Sequence, residues 1–330
     1  STLNPRWKKR WQAFVKIAKA WFSPIVKNRI NKSSLIIGDV AKRRSVLSHP
    51  LTDYRAGEKM KEITSRDNRL VKLAVRLQQK KYRYEERRLI AEGFRIVEDA
   101  VHMGITDGIC LVAAEVVERP ELQNLQAESE KVGWEWYLLP DRIYEKVKET
   151  HSSQGITAIL PFFEYTFKNL PEVANERPIL YLEAIQDPGN LGTILRTAAA
   201  ANVGAVFLSP DCVDLYNGKT VRSAMGAIFK VPVVQNVSLE RISSFCDEKK
   251  RILTGTLLGA NKLYTQVDWR QPTVIAFGNE GNGLSQACAE ACRQALTIPM
   301  KSHTESLNLA TSVAVVLYKA WEEAGFADKT

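Results

Sequence analysis

The residues of this 330-residue chain that could do chemistry sit in short clusters, each just after an apolar run. Asp187-Pro188-Gly189-Asn190-Leu191-Gly192 follows Ile179-Leu180-Tyr181-Leu182 and leads to Arg196-Thr197-Ala198. Gly278-Asn279-Glu280-Gly281-Asn282-Gly283 follows Thr273-Val274-Ile275-Ala276-Phe277. Ile298-Pro299-Met300 ends a third run, and Ser306-Leu307-Asn308-Leu309-Ala310 then enters an apolar C-terminal segment. A further glycine turn, Thr254-Gly255-Thr256, closes Arg251-Ile252-Leu253. Ligands of open α/β sheets bind outside the carboxyl ends of the strands, and glycine there lets backbone N–H and C=O groups approach them closely. The same glycines also suit ordinary strand-end turns. The second cluster is not a G-x-G-x-x-G fingerprint with an acid about twenty residues on, and no G-x-x-x-x-G-K-[ST] occurs.

Arg196 lies six positions after Asn190, in an Ala-rich segment read as a helix from Gly192 to Ala201. A guanidinium is always charged, so it suits gripping a phosphate or stabilising a developing oxyanion better than accepting a proton. An arginine on such a helix is equally suited to a surface salt bridge. Asn190, Glu280, Ser306 and Asn308 are further polar candidates in the clusters, and Ser306 also suits capping the last helix, read as Ser306–Ala320. His151 and His303 read as loop residues. The five cysteines are scattered; Cys288 and Cys292 share one face of a helix, but no partner Cys/His pair lies near. Free thiols in a reducing compartment are expected, and no metal.

Stepping outward, apolar strands alternate with helices from residue 178 to the C-terminus. Leu296-Thr297-Ile298-Pro299-Met300 reads as the last strand. Continuous apolar strands of this kind indicate a parallel sheet buried on both faces. Before it, Ile109-Cys110-Leu111-Val112, Trp136-Tyr137-Leu138-Leu139 and Thr157-Ala158-Ile159-Leu160 read as strands of a smaller α/β unit. Residues 66–90 read as a helix or helix pair with an apolar stripe and a dense basic surface that includes Lys72, Arg76, Lys80, Lys81, Arg83, Arg87 and Arg88. The division expected is a basic extension over 1–59, a small α/β domain over 60–165, a linker over 166–177 and a larger domain over 178–330.

The net charge of +9 is not evenly spread. Residues 1–59 hold 14 Lys/Arg and three acidic residues, and the remainder is slightly acidic at −2. Residues 5–22 read as a basic amphipathic helix that includes Trp7, Trp11, Phe14 and Trp21, ended by Pro24. An RNA-binding arm, a targeting presequence (residues 1–38 have no acid), a membrane-surface or partner helix, and a segment without native function all fit. No apolar run is long enough for a transmembrane helix.

In order and spacing, the three clusters resemble motifs 1, 2 and 3 of the SpoU (TrmH-type) RNA 2′-O-ribose methyltransferases of the SPOUT superfamily. The resemblance covers roughly residues 178–325, and Met60-Lys61-Glu62-Ile63-Thr64-Ser65 resembles the usual beginning of that family. It implies a C-terminal trefoil-knotted parallel-sheet domain preceded by a small α/β substrate-binding domain, where Glu92-Gly93 and Gln154-Gly155 match recurrent landmarks. It implies S-adenosyl-L-methionine bound by Thr254, Gly255, Thr256, Gly278, Asn279, Glu280, Gly283, Ile298, Met300 and Leu307. Methyl transfer to a ribose 2′-hydroxyl is then expected to depend on Arg196, Asn190, Glu280, Ser306 and Asn308. The implied partners are RNA, ribosomal rather than transfer RNA, and a second copy of the chain in a homodimer that completes each site. A cytoplasmic protein is expected, or an organellar one if residues 1–59 are a presequence. A non-catalytic RNA-binding protein on the same scaffold and a tRNA 2′-O-methyltransferase are the alternatives.

Overall fold

A computed structural model describes residues 60–302 and 306–327. The expectations for the 1–59 arm and for His303 fall outside the described residues. The described chain builds two sheets in succession.

The first sheet has the order β1-β4-β3-β5-β2. Its strands are β1 (Lys61–Glu62), β2 (Arg88–Glu92), β3 (Ile109–Ala113), β4 (Glu135–Leu139) and β5 (Ile156–Pro161). β1, β4 and β3 run parallel, and β5 is antiparallel to both β3 and β2. The basic segment forms two helices, α1 (Arg69–Leu77), capped by Asn68, and α2 (Lys80–Glu86). α1 buries Val71, Ala74 and Leu77 and leaves Arg69, Lys72 and Arg76 exposed. α3 (Phe94–His102), α4 (Pro120–Ser129) and α5 (Asp141–Val147) complete this layer.

The second sheet contains six strands in the order β11-β9-β10-β6-β7-β8, and every pairing in it is parallel. The strands are β6 (Ile179–Leu182), β7 (Ala205–Leu208), β8 (Val233–Val234), β9 (Ile252–Thr256), β10 (Thr273–Phe277) and β11 (Gln294–Leu296). Successive side chains serve opposite faces: Leu180, Leu182, Ile275 and Phe277 join one core, and Ile179, Tyr181, Val274 and Ala276 the other. This period-two division is what a strand buried on both sides requires. The covering helices are α6 (Pro188–Ala200), α7 (Gly218–Ala224), α8 (Leu239–Lys249), α9 (Gln286–Ala291) and α10 (Leu309–Glu323).

From β6 the chain runs outward through β7 and β8, then crosses to β9, returns to β10 beside β6 and ends on the edge strand β11. The strand order therefore switches between β6 and β10, and it is beyond the carboxyl ends of strands at such a switch that open α/β sheets bind ligands.

Five elements differ from the sequence reading. The helix pair expected over 66–90 stops at Glu86, and residues 88–90 open β2, paired with β5. α6 starts at Pro188 rather than Gly192, because Asp187 caps it and proline at the first helical position needs no N–H partner. Gly255 is not in a turn; it lies inside β9, opposite Ala276 of β10 and Ala295 of β11. The last strand stops at Leu296, so Ile298, Pro299 and Met300 lie beyond it. The closing helix begins at Leu309, with Asn308 and not Ser306 as its cap.

The two sheets meet across a polar and aromatic seam. Arg83 of α2 pairs with Asp214 at 2.6 Å, with the two side chains only 4% and 5% exposed. Tyr84 donates to the same carboxylate at 3.0 Å, and Phe162 stacks on Tyr216 with centroids 3.9 Å apart. Removing one partner of such a buried pair costs about 3–5 kcal/mol, because the other charge is left stranded.

Candidate active site

The loop from β6 to α6 carries the first cluster, and its backbone is strained. Ala184 has φ 55°, a left-handed conformation unusual for a residue with a Cβ. It persists because its surroundings over-determine it. The Ala184 N–H donates to Ser209 Oγ at 2.9 Å, and its carbonyl accepts from Asn279 Nδ2 at 2.8 Å and Gln186 Nε2 at 3.0 Å. Asn279 belongs to the β10 turn, so that one bond already ties the first cluster to the second.

Glu280 strengthens the tie. Its carboxylate accepts from the backbone N–H groups of Gln186 and Asp187, each at 3.1 Å, and from Asn190 Nδ2 at 3.1 Å. Partial burial by itself would raise the pKa of Glu280; the Asn190 bond and the backbone bonds outweigh it and hold the group below the ordinary glutamate value of 4.5. Glu280 is therefore an anchored carboxylate at neutral pH. On the other side, Asn190 Oδ1 accepts from Asn308 Nδ2 at 3.0 Å, while Asn308 Oδ1 caps α10 through Thr311 N–H at 3.2 Å. Glu280, Asn190 and Asn308 thus form one hydrogen-bonded chain across all three clusters, at the switch point between β6 and β10.

The β10 turn closes on itself. Asn279 and Gly283 exchange backbone hydrogen bonds of 2.9 Å each, and Asn279 Oδ1 accepts from Gly281 N–H at 2.8 Å. A Cβ on Gly278 would clash with the Gly283 carbonyl and Leu284 N, so the turn itself demands that glycine. Gly255 answers a different need: its Cβ would come within 2.9 Å of Cys292 Sγ and 3.2 Å of Leu284 Cδ1. Both glycines are required by packing of the chain on itself, not by open space left for a ligand.

The remaining candidates are dispersed. Thr254 is fully buried and accepts from Gln294 Nε2 at 2.8 Å, whereas Thr256 Oγ1 donates to the Ala276 carbonyl at 2.9 Å. Ile298 and Met300 are half-buried, and Leu307 is exposed. Ser306 is exposed and makes no side-chain hydrogen bond among the described residues. Arg196 is exposed on the third turn of α6, with no ion pair or side-chain hydrogen bond among the described residues. Six residues of α-helix separate it from Asn190 by about 9 Å along the axis and about 240° around it. It therefore does not join the Glu280–Asn190–Asn308 chain within this subunit.

Sequence reasoning missed two supporting groups. Lys219 of α7 pairs with Asp187 at 2.8 Å, and this bond, with the Asn190 N–H, lowers the Asp187 pKa. Nothing local in the sequence marks Lys219, because its role arises only from α7 packing on α6. Gln186, whose side-chain amide bridges the carbonyls of Ala184 and Asp211, is the second.

Comparison with known proteins places this six-stranded parallel sheet in a family. The SpoU rRNA methylase family matches residues 177–318, and the MRM3-like substrate binding domain matches residues 68–158. An uncharacterised tRNA/rRNA methyltransferase of Synechocystis is 35% identical over 82% of this chain and 96% of its own length. A 23S rRNA (guanosine(2553)-2′-O)-methyltransferase of Bacillus subtilis is 34% identical over 78% of this chain and 98% of its own. The crystal structure of an AdoMet-bound rRNA methyltransferase from Sinorhizobium meliloti superposes with a TM-score of 0.70 at 27% identity, covering 80% of this chain and 98% of that one. The chain belongs to the SpoU rRNA methylase family.

Proposed function

We propose that this protein transfers a methyl group from S-adenosylmethionine to a ribose 2′-hydroxyl of ribosomal RNA. The observation that carries the reading is the Glu280–Asn190–Asn308 chain, which joins the three clusters at the switch point of the sheet, the place where open α/β sheets bind their ligands. The names of the Bacillus and Sinorhizobium relatives support the ribosomal substrate and the cofactor.

The residues at the carboxyl ends of β9, β10 and β11 fit that cofactor. Half-buried Ile298 and Met300, together with Leu307, offer an apolar slot for adenine, and the ends of β9 and β10 offer backbone hydrogen-bonding groups. A depression of about 390 Å³ flanks this end, lined by Leu257, Leu258, Lys262 and Ala295 among others. The cofactor supplies an electrophilic methyl group on a sulfonium, which needs no metal. What the chain must add is a poised 2′-hydroxyl. Arg196, permanently cationic and without an ion pair or side-chain hydrogen bond among the described residues, grips the phosphate next to the target ribose and stabilises negative charge as the hydroxyl loses its proton to that phosphate or to water. Asn190 and Asn308 orient the ribose, Glu280 holds the motif 1 loop in place, and Ser306 lies free to contact substrate.

Arg196 lies away from the Asn190 chain, which favours a homodimer in which a second copy completes the site. The apolar closing helix leaves Tyr318 46% exposed, a surface suited to that contact. The trefoil knot implied by the family goes with this reading. Residues 60–165 act as the RNA-binding domain, presenting the basic face of α1 and α2. The protein works where ribosomes are, in the cytoplasm, or in an organelle if residues 1–59 are a presequence; a mitochondrial rRNA methyltransferase of Danio rerio is 27% identical. No helix of the described residues is long and apolar enough to cross a membrane.

Calorimetry with S-adenosylmethionine separates this reading from a non-catalytic RNA-binding scaffold. A saturable one-site isotherm is expected, and its absence contradicts the enzymatic reading. The arm makes a second expectation. Residues 1–59 carry +11. Starting the chain at Met60 should flatten the salt dependence of RNA binding, because fewer counterions are released, while methyl transfer survives. Equal slopes of log Kd against log salt for the two chains would remove the arm from RNA binding.

A further inference from the structure

Three ion pairs link the substrate-binding domain to the larger one, Arg83–Asp214, Lys230–Asp99 and Glu149–Arg222, and the last is made on α7, the helix that packs on the motif 1 helix. The loop after α5 carries Glu149, which is paired with Arg222 of α7. The loop is fixed from behind by Glu92, a buried residue at the end of β2. Glu92 accepts from the Glu149 N–H at 2.5 Å, from the Thr150 N–H at 3.3 Å and from the Thr150 hydroxyl. The Glu149 carboxylate is only 12% exposed and fills the notch above Gly218, where any Cβ would clash with it. Two carboxylates this far from solvent, one on the loop and one at the end of β2 behind it, are costly to desolvate unless hydrogen-bonded and paired, and both are.

Beyond Arg222 the connection has no slack. α7 packs directly on α6: a Cβ on Gly192 would lie 2.5 Å from Ser223 Cβ and 2.6 Å from the Thr220 carbonyl. Lys219 of α7 holds Asp187, the cap of α6, and Asp187 holds the Asn190 N–H at 2.8 Å. A shift of α7 is thus passed to α6, which carries both Asn190 and Arg196.

We propose that Glu149 and Arg222 are positioning residues for methyl transfer: through α7 they hold α6 in register with RNA gripped by the substrate-binding domain. This rests on the functional reading above. It predicts an effect on turnover rather than on binding, since neither residue belongs to the cofactor site. The test uses the full chain, S-adenosylmethionine with a labelled methyl group and an unmodified 23S rRNA transcript. Glu149→Gln keeps the shape and removes the charge; its kcat should fall roughly 10–100-fold, the scale of a small misplacement of reacting groups, with KM for RNA and cofactor Kd little changed. Arg222→Lys, which keeps a cation against the carboxylate, should stay close to the wild-type rate. The Glu149→Gln/Arg222→Gln double variant should be no slower than the slower single one, as expected when both act through one pair. An unchanged kcat in Glu149→Gln overturns the proposal. So does a loss in which Tm and cofactor affinity fall together and Arg222→Lys is equally slow, because the pair is then only structural. A wild-type chain that transfers no methyl to the transcript overturns the functional reading itself, whereas transfer by the wild type with full activity in Glu149→Gln overturns only the positioning role.

Discussion

Arg196→Ala lowers kcat for methyl transfer by roughly 10²–10³-fold, the scale of losing one preorganised charge-stabilising donor. Folding is untouched, because the side chain is exposed and makes no ion pair or side-chain hydrogen bond among the described residues; such surface changes usually stay within about 0.5 kcal/mol. Cofactor affinity is also unchanged, because Arg196 stands on α6, away from the ends of β9 and β11. Arg196→Lys recovers little, since a point charge does not reproduce a planar fork on phosphate. Single-turnover rates at saturating cofactor, set beside Tm and calorimetric Kd, measure all three. Full activity in Arg196→Ala would remove the residue from the mechanism.

Gly278→Val abolishes cofactor binding at ordinary concentrations, with Kd raised at least about 10-fold, equivalent to about 1.4 kcal/mol. The valine meets the Gly283 carbonyl and Leu284 N, so the turn held by the Asn279–Gly283 bonds must open. Opening the turn carries Glu280 away from Asn190 and uncouples the clusters. Overpacking of this kind also costs about 1–3 kcal/mol of stability, seen as a lower Tm. Gly281→Ala is the control: its Cβ has only Asn279 Oδ1 nearby, at 3.5 Å, and it keeps near-normal affinity. A folded Gly278→Val chain with unchanged affinity would separate the β10 turn from the cofactor site.

The contrast between Gly278 and Gly255 marks how far the sequence is legible. Both glycines follow apolar runs and read alike, yet one closes a turn and the other lies inside β9 against Cys292. Strand ends cannot be separated from strand interiors when pairing to β11 decides the matter, because that pairing joins residues 40 apart in sequence. The parallel sheet was legible because Ile179–Leu182 and Thr273–Phe277 are apolar without alternation, as double burial demands. The start of α6 was misread because Asp-Pro-Gly-Asn is a turn signal and a cap-plus-first-turn signal at once. Asn190, Glu280 and Asn308 stood out as polar residues at strand ends, but only the fold brings residues 90 and 118 positions apart into hydrogen-bond contact. The seam between the sheets had no sequence signature: Arg83 read as one more cation of a basic face, and it is buried on Asp214. A buried arginine and a solvated one look the same until the partner's position is known.

The central claim, methyl transfer to a ribose 2′-hydroxyl of ribosomal RNA, is tested most directly by mapping 2′-O-methylation across the rRNA of the source organism. The comparison is between cells with the gene, cells lacking it, and deletion cells carrying either the wild-type or the Arg196→Ala chain. The account predicts that the deletion removes a 2′-O-methyl group from the large-subunit rRNA, that the wild-type chain restores it, and that Arg196→Ala does not. An unchanged rRNA methylation map in the deletion, or a lost methyl that proves to lie on a base or on transfer RNA, would contradict it.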